Sequence, residues 1–237
     1  GEFGFIYHVY QGMKGQFLGI EDANLTVTDD LDVFRANLLD AGTTTGTIAG
    51  TITSETVETL KTLTGVNAYN ITINAADATS TTAADLNEIN ALTSDTVNLI
   101  NVTALAASSL SDLETLGAAI TNNEFSNTTG LTTLAISDTT IDATALALTI
   151  DSYDEINGES TTGMTLAAGA TINVDASEVI EMLDDEIAGR LTISDQAITV
   201  TGEISADEAR ELSETTTGLL TATILDTTID QLEFLPF

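Results

Sequence analysis

The 237-residue sequence contains no cysteine and no tryptophan, and it has a single proline and a single histidine. The lack of cysteine excludes disulfide bonds, thiolate metal ligands and cysteine nucleophiles. The one proline, Pro236, is the second-to-last residue, so proline interrupts none of the elements before it. No apolar run approaches the roughly 18 residues that a membrane-spanning helix needs, so we expect no membrane insertion.

Basic residues are the next scarce class. Lys and Arg number 5 against 37 Asp and Glu, which gives a formal net charge of -32 and a pI near 4.1. The five basic residues are scattered along the chain: Lys14, Arg35, Lys61, Arg190 and Arg210. Binding to nucleic acid or to an anionic membrane needs clustered Lys and Arg, so the composition argues against both and makes cations the expected counterparts.

Motifs that carry catalysis are also lacking. The sequence has no P-loop, no dinucleotide-binding glycine motif, no GxSxG and no HExxH. No nucleophile motif accompanies His8, which we interpret as a surface or cap residue, and we expect no enzymatic activity. The alternative is a polysaccharide-active β-helix enzyme with paired aspartates, but such sites also collect cationic residues, which this chain has in small number.

A repeating pattern organises most of the chain. Seven apolar anchor residues each begin a short apolar face that continues three residues later, as on one side of a helix. The anchors are Leu31, Val57, Leu86, Leu113, Tyr153, Val179 and Ala209, and the second positions are Phe34, Leu60, Ile89, Leu116, Ile156, Met182 and Leu212. Successive anchors are separated by 26, 29, 27, 40, 26 and 30 residues. A period of about 30 residues is the signature of a solenoid.

Residues that cap helices precede six of the seven anchors. Four residues before the anchor stand Thr53, Thr82, Ser109, Thr149, Asp175 and Ser205. One residue before the anchor stand Asp30, Asp85, Asp112, Glu178 and Glu208. Acids suit the first turn of a helix because of the helix dipole. The sequence therefore predicts a helix start at these sites and assigns the acids to capping rather than to catalysis.

Glycine and β-branched residues follow the predicted helices. Six glycines are expected to take the left-handed conformation just beyond a helix end: Gly46, Gly65, Gly130, Gly163, Gly189 and Gly218. Threonine-rich, β-branched segments then predict half-buried strands at residues 70–73, 131–136, 171–174, 191–193, 198–200 and 219–224. The 40-residue interval carries the polar stretch 121–129 and one more strand-like run, residues 145–150. These features predict an additional strand, within either an insertion or a longer repeat unit.

The predicted organisation has three parts. Residues 1–26 combine a tag remnant, Gly1-Glu2-Phe3, with an aromatic-rich cap, and residues 27–232 form the repeat array. Residues 233–237 form a C-terminal cap or a cut edge that allows end-to-end self-association. The expected fold is a right-handed α/β solenoid of about seven helix-strand repeats with a parallel β-sheet face. The alternative is a parallel β-helix with short helical insertions.

Calcium is the cofactor that the composition favours, because hard cations need several oxygen ligands. The best candidates are Asp138 and Asp142 in ISDTTID, and Asp226 and Asp230 in its near copy ILDTTID. The sequence has neither an EF-hand loop nor the GGxGxD nonapeptide. Thr-x-Thr pairs such as Thr199/Thr201 and Thr221/Thr223 suggest an ice- or mineral-binding face, but they fall at different distances from their anchors. That function is therefore a second alternative.

Units such as VTGEISADEARELSETTTGLLTATILDTTIDQL resemble the Thr/Ala/Asp-rich repeats of very large bacterial surface or secreted proteins, notably cyanobacterial and RTX-associated adhesin-like ones. The resemblance spans about residues 27–232 and is one of composition and period. It implies an extracellular or cell-surface location and calcium binding. We predict a non-enzymatic structural or adhesive segment that presents an acidic binding face to a protein or carbohydrate ligand.

Overall fold

The computed structural model describes residues 1–13, 22–53, 55–156 and 163–225. Within these ranges the chain forms eight α-helices and twelve β-strands, and every strand pair is parallel. The predicted α/β class with parallel sheets is therefore confirmed. The chain divides into two compact units. Unit 1 comprises Gly1–Leu105 and Ala118–Leu131, and unit 2 comprises Ala106–Gly117 and Thr132–Phe237.

Helices and strands alternate along most of the chain. The helices are α1 (Phe3–Met13), α2 (Val33–Asp40), α3 (Val57–Leu60), α4 (Ala83–Ala91), α5 (Leu110–Thr121), α6 (Ala143–Ile156), α7 (Val179–Ile187) and α8 (Ala206–Thr215). The strands are β1 (Leu25–Asp30), β2 (Ile48–Ile52), β3 (Ala68–Thr72), β4 (Val97–Asn98), β5 (Phe125–Ser126), β6 (Thr133–Ala135), β7 (Thr140–Asp142), β8 (Gly163–Thr165), β9 (Thr171–Asp175), β10 (Leu191–Thr192), β11 (Ala197–Ile204) and β12 (Leu220–Ile224). None of the helices in the described ranges is long and apolar enough to cross a membrane.

Unit 1 contains one five-stranded sheet, in which neighbouring strands follow the order of the chain from β1 to β5. One row of paired side chains crosses four of its strands: Ile52, Ile71, Val97 and Phe125. Each of these residues is at most 5% exposed. This face of the sheet borders the core of the unit, and full burial of each such side chain contributes about 1.5–3 kcal/mol.

Unit 2 contains two sheets, one of order β6-β8-β10 and one of order β7-β9-β11-β12. Consecutive strands alternate between the two sheets from β6 to β11, with α6 following β7 and α7 following β9. A buried row crosses three strands of the second sheet: Ile141, Ile172 and Ile198. Each segment between helices therefore supplies one strand to each sheet.

All seven sequence anchors are buried, with at most 5% of each residue exposed. The predicted second positions are buried at Leu60, Ile89, Leu116, Met182 and Leu212. At Phe34 the prediction is wrong, since this residue is 75% exposed. Helix α2 begins at Val33 with Asp32 as its N-cap, and its buried residues are Val33, Ala36 and Leu39. The apolar face therefore starts two residues after the anchor Leu31.

Local hydrogen bonds confirm three of the predicted N-caps: Thr82, Ser109 and Ser205. Thr82 and Ser205 each form a reciprocal capping box with the acid three residues later. The prediction at Thr53 is wrong, because Thr56 caps α3 and its side chain accepts from the Thr59 N–H. Asp175 starts a 3-10 turn and makes no side-chain cap bond. Asp30, predicted in a first helical turn, ends strand β1.

The predicted extra strand at residues 145–150 is wrong, because these residues lie inside α6. Alanine and leucine have high helix propensity, and Asp142 supplies the cap by accepting from the Ala145 N–H at 3.2 Å. Thr149, predicted as an N-cap, is a residue within this helix whose hydroxyl donates to the Ala145 carbonyl. The helix therefore starts seven residues earlier than the anchor Tyr153 indicates.

Two of the predicted left-handed glycines are confirmed, since Gly65 and Gly189 have φ values of 70° and 74°. The other four do not have positive φ, so the prediction is wrong for Gly46, Gly130, Gly163 and Gly218. Gly46 and Gly218 are required by a close backbone approach instead. A Cβ added to Gly46 would lie 2.2 Å from the Ala23 carbonyl oxygen, and one added to Gly218 would lie 2.2 Å from that of Gln196.

Helix α1 belongs to the predicted aromatic cap. The Phe3 and Tyr7 rings stack with centroids 5.6 Å apart, and the guanidinium carbon of Arg35 lies 5.2 Å from the Phe3 ring centroid. The Thr28 N–H donates to the Gly1 carbonyl, which joins the start of the chain to β1. His8 is exposed. Residues 14–21 and the predicted C-terminal part, residues 233–237, lie outside the described residues.

Candidate functional site

The two predicted calcium ligands that the structure describes lie at the starts of two different helices. Asp138 follows β6, and its Oδ2 accepts from the N–H of Leu110, the first residue of α5, at 2.7 Å. Asp142 ends β7, and its Oδ1 accepts from the Ala145 N–H of α6. The other two candidates, Asp226 and Asp230, lie outside the described residues.

No group of three or more histidine or acidic side chains is arranged to hold a metal ion in the part of the chain that the structure describes. Asp138 and Asp142 each have one oxygen in a helix cap, and the second oxygen of each carboxylate is the atom that a cation would use. Calcium binding at this pair stays a prediction.

Asp138 is one of four carboxylates with the same role. In each case an acid accepts from the first N–H of a helix that lies 20 to 28 residues earlier in the chain. The bonds join Phe3 to Asp29 at 2.6 Å, Val33 to Glu55 at 3.3 Å, Val57 to Asp77 at 3.1 Å, and Leu110 to Asp138 at 2.7 Å. The first N–H groups of a helix have no partner inside it, and negative charge is favoured there. These acids therefore hold successive segments of the chain together.

A groove of about 120 Å³ lies between α6 and α7 in unit 2. Its apolar wall consists of Ala143, Leu146, Ala147, Leu148, Met182 and Leu191. Four carboxylates share the lining with it: Asp151, Glu178, Glu181 and Asp185. Leu148, Asp151 and Glu181 are exposed at the groove, whereas Asp185 is 4% exposed. The groove is thus a small apolar recess with a strongly acidic border.

Arg190 is the cation beside this groove. Its Nη2 lies 2.5 Å from Asp185 Oδ1, and its Nη1 lies 3.2 Å from Asp154 Oδ2. Burial raises the pKa of Asp185; Arg190 opposes this shift, and the negative charges of Asp151 and Glu181 add to it. One guanidinium therefore faces an excess of carboxylates, and the groove favours an additional positive charge.

A second recess of about 320 Å³ lies in unit 1 and is lined by polar residues: Asn90, Thr93, Ser94, Asp95, Thr96, Asn123 and Glu124. The Asn90 side-chain amide donates to Glu124, and Asn123 has a positive φ of 62°. Small-molecule sites usually combine apolar walls with a few polar groups. The groove in unit 2 matches that description better than this recess does.

The outer face of the second sheet in unit 2 carries a row of polar side chains in register: Asp142, Asn173, Thr199 and Thr221. The expectation that Thr-x-Thr pairs are out of register is therefore wrong for Thr199 and Thr221, which are direct partners. The next row differs, because Thr201 pairs with Asp175 and Thr223 with Glu203. The register shifts between Thr199 and Glu203, where Gly202 has a φ of 101°.

The sequence predicted the helix-start position of Glu178, but it did not predict that Glu178 and Asp185 line one groove. One feature of the sequence could have indicated that Asp185 is buried. Asp185 follows the anchor Val179 by six residues and Met182 by three, so it continues the buried face of α7. No family model, no curated protein and no solved structure matches this chain, so its function is inferred from these geometries.

Proposed function

We propose that this chain is a non-enzymatic structural or adhesive segment of a bacterial surface or secreted protein, and that it presents an acidic binding face. The observation that carries this proposal is the set of helix N–H groups bonded to acids 20 to 28 residues further on. Part of the acidic content thus stabilises the scaffold. Other acids, such as Asp151, Asp184 and Glu211, are exposed and available to a protein or carbohydrate ligand.

We further propose that the chain follows a solenoid plan, as a right-handed α/β solenoid of about seven units. The chain-order pairing of β1 to β5 supports this in unit 1. In unit 2, consecutive strands from β6 to β11 belong alternately to two sheets. This arrangement favours the alternative, a parallel β-helix with short helical insertions. Both plans leave a sheet edge at the end of the array, which is the basis for proposing end-to-end self-association.

Carbodiimide coupling of glycine ethyl ester to the folded chain, read by mass spectrometry, separates the two classes of acid. We expect Asp184 and Glu211, which are exposed, to react early. Asp77 and Asp138, which are half-buried and hydrogen-bonded to helix starts, should react late. Equal coupling rates for the exposed and the half-buried acids would contradict the structural role of Asp77 and Asp138, on which the proposal rests.

The binding face is tested by retention on sensor surfaces that carry amine, carboxylate or neutral hydroxyl groups. We expect retention on the amine surface, with release near 1 M salt, where the Debye length falls to about 3 Å. Coupling of the early-reacting carboxylates should abolish retention. Equal retention on amine and carboxylate surfaces would contradict the acidic face, and release of reducing ends from a polysaccharide panel would favour the enzyme alternative.

One observation favours the ice- or mineral-binding alternative, namely the in-register pair of Thr199 and Thr221. The register shift after Thr199 limits the aligned threonines to this row. An assay of ice recrystallisation with the wild-type chain and the Thr221→Ala variant tests it. Inhibition that is lost in the variant would raise this alternative above the adhesive function.

A further inference from the structure

We propose that the groove between α6 and α7 binds a lysine or arginine side chain of a partner protein. This inference rests on the proposed function, because it names the chemistry that the acidic face recognises. The groove offers an apolar wall for the aliphatic stem of such a side chain and carboxylates for its charged end.

The small volume of the groove fits a single side chain better than a cofactor. Its volume is about 120 Å³, whereas sites for small molecules and cofactors usually span about 300–1,000 Å³. Leu146 and Met182 form a buried floor, and Leu148, which is 65% exposed, stands at the opening. A single extended side chain inserted beside Leu148 would cover apolar surface that is now in water.

The negative charges in the groove favour binding of a cationic group. Asp151 and Glu181 are exposed at its border and take part in no ion pair among the described residues. Deeper in the groove, Asp185 shares Arg190 with Asp154. A second cation would offset the repulsion between these carboxylates, in the same way as Arg190 does now.

The arrangement of the acidic side chains in the groove favours binding of a partner's basic side chain over binding of a metal ion. No three acidic or histidine side chains of the described chain converge as metal ligands do. An ammonium or guanidinium group carries several N–H donors and can bond carboxylates that lie apart, and the apolar wall has no role in holding a bare ion.

The test is a titration of the ¹⁵N-labelled full chain, monitored by amide chemical shifts. The probe is acetyl-Gly-Gly-Arg-Gly-Gly-amide, and the matched probe has norleucine in place of arginine. We expect saturable shifts within residues 143–151 and 178–191 for the arginine peptide and none for the norleucine peptide. A lysine peptide should move the same amides.

Two groups of variants sharpen the test. Asp151→Asn combined with Glu181→Gln should weaken binding about fivefold, because exposed ion pairs contribute only modestly to affinity. Asp184→Asn removes one charge from an exposed residue of α7 outside the groove lining, and it should leave the affinity within about twofold. Leu148→Ser, at an exposed position, tests the apolar wall and should weaken binding without affecting folding.

Several outcomes would overturn the proposal: shifts spread evenly over the acidic surface, equal binding of the norleucine peptide, or equal losses in Asp184→Asn and the double variant. Calcium chloride that moves the same amides and displaces the arginine peptide would make the groove a metal site instead. If these tests fail while the chain is still retained on amine surfaces, the groove is excluded and the adhesive function stands. Loss of that retention would remove the adhesive function itself.

Discussion

Buried hydroxyl groups connect turns to earlier segments of the chain. Thr216 Oγ1 donates to the Gln196 carbonyl at 2.6 Å and accepts from the Gly218 N–H at 2.9 Å. In unit 1, Thr93 Oγ1 lies 2.6 Å from the Tyr69 carbonyl oxygen and accepts from the amide two residues later. Leaving such a buried backbone group without a partner costs about 1–3 kcal/mol. The abundant threonines thus include residues with individual structural roles.

The close approach at Gly218 gives the first prediction. Gly218→Ala places a methyl group 2.2 Å from the Gln196 carbonyl oxygen, so the backbone must shift. We expect the free energy of unfolding to fall by about 1–3 kcal/mol, measured by urea denaturation. Gly163→Ala is the matched control, because a Cβ at Gly163 meets no atom within 4 Å. Equal stabilities of the two variants would contradict the assigned role.

The ion pair of Asp85 and Lys61 gives a prediction for pH. Burial acts to raise the pKa of Asp85, but the hydrogen bonds from Lys61 and Thr82 outweigh burial and lower it below 3.8. A lowered folded-state pKa means that the stabilisation is complete above about pH 4 and is lost as the pH falls through the folded value. Asp85→Asn should therefore lower Tm at pH 7 by about 2–4 °C.

Thermal melts from pH 7 down to pH 2.5 check this sign. The difference between wild type and Asp85→Asn should shrink as the pH falls below 3.8, because protonated Asp85 resembles asparagine. A difference that stays constant over this range would show that the charge of Asp85 is not what stabilises the fold.

Helices in this protein are fixed at their starts by both local and distant side chains. At α5, Ser109 Oγ accepts from the Asp112 N–H locally, and Asp138 accepts from the Leu110 N–H from 28 residues away. At α8, Ser205 and Glu208 form a capping box within four residues. A local cap fixes where a helix begins, and a distant cap also fixes which strand segment lies beside it.

The distant cap at α5 is tested by two substitutions of Asp138. Asp138→Ala removes the acceptor for the Leu110 N–H and should cost about 0.5–2 kcal/mol. Asp138→Asn keeps an acceptor oxygen and should cost less. Urea denaturation gives the energies, and amide hydrogen exchange should increase at the start of α5 in the alanine variant. An alanine variant as stable as wild type would mean that this bond contributes nothing.

The local cap at α8 is tested by the same substitution at two positions of one helix. Ser205→Ala removes the capping box and should cost about 1 kcal/mol. Ser213→Ala changes a serine inside the helix whose hydroxyl donates to the Arg210 carbonyl, and alanine suits this position better. Urea midpoints should therefore fall for the first variant and stay unchanged or rise for the second.

The whole molecule carries a formal net charge of -32. Among the described residues, Arg35, Lys61, Arg190 and Arg210 all pair with acids. These four basic side chains are therefore already engaged in ion pairs, and the remaining carboxylates repel one another. This repulsion opposes the compact state and weakens with rising salt.

Salt and calcium together test the electrostatics of the whole chain. We expect Tm to rise with sodium chloride because screening reduces the repulsion between carboxylates. At equal ionic strength, calcium chloride should raise Tm further if calcium binds at Asp138 and Asp142, because a ligand stabilises the state to which it binds. Asp142→Asn should remove that additional rise. Identical Tm values in the two salts would contradict calcium binding at Asp138 and Asp142.

The sequence by itself determined the features whose partners lie within a few residues. The buried anchors, the caps at Thr82 and Ser205 and the left-handed Gly65 and Gly189 follow from helix periodicity, capping chemistry and glycine φ. At residues 145–150 the sequence pattern predicted a strand. The segment is helical because Asp142 supplies a helix start that the anchor pattern did not mark.

Tertiary structure alone decided the features whose partners lie 20 or more residues away. The distant cap at Asp138, the close approach of Gly218 to Gln196 and the pairing of Thr199 with Thr221 all depend on which segments lie side by side. The groove beside Asp185 likewise needs two helices to meet. Local propensity carries no information about such pairings, because they are set by strand register and by packing against the core.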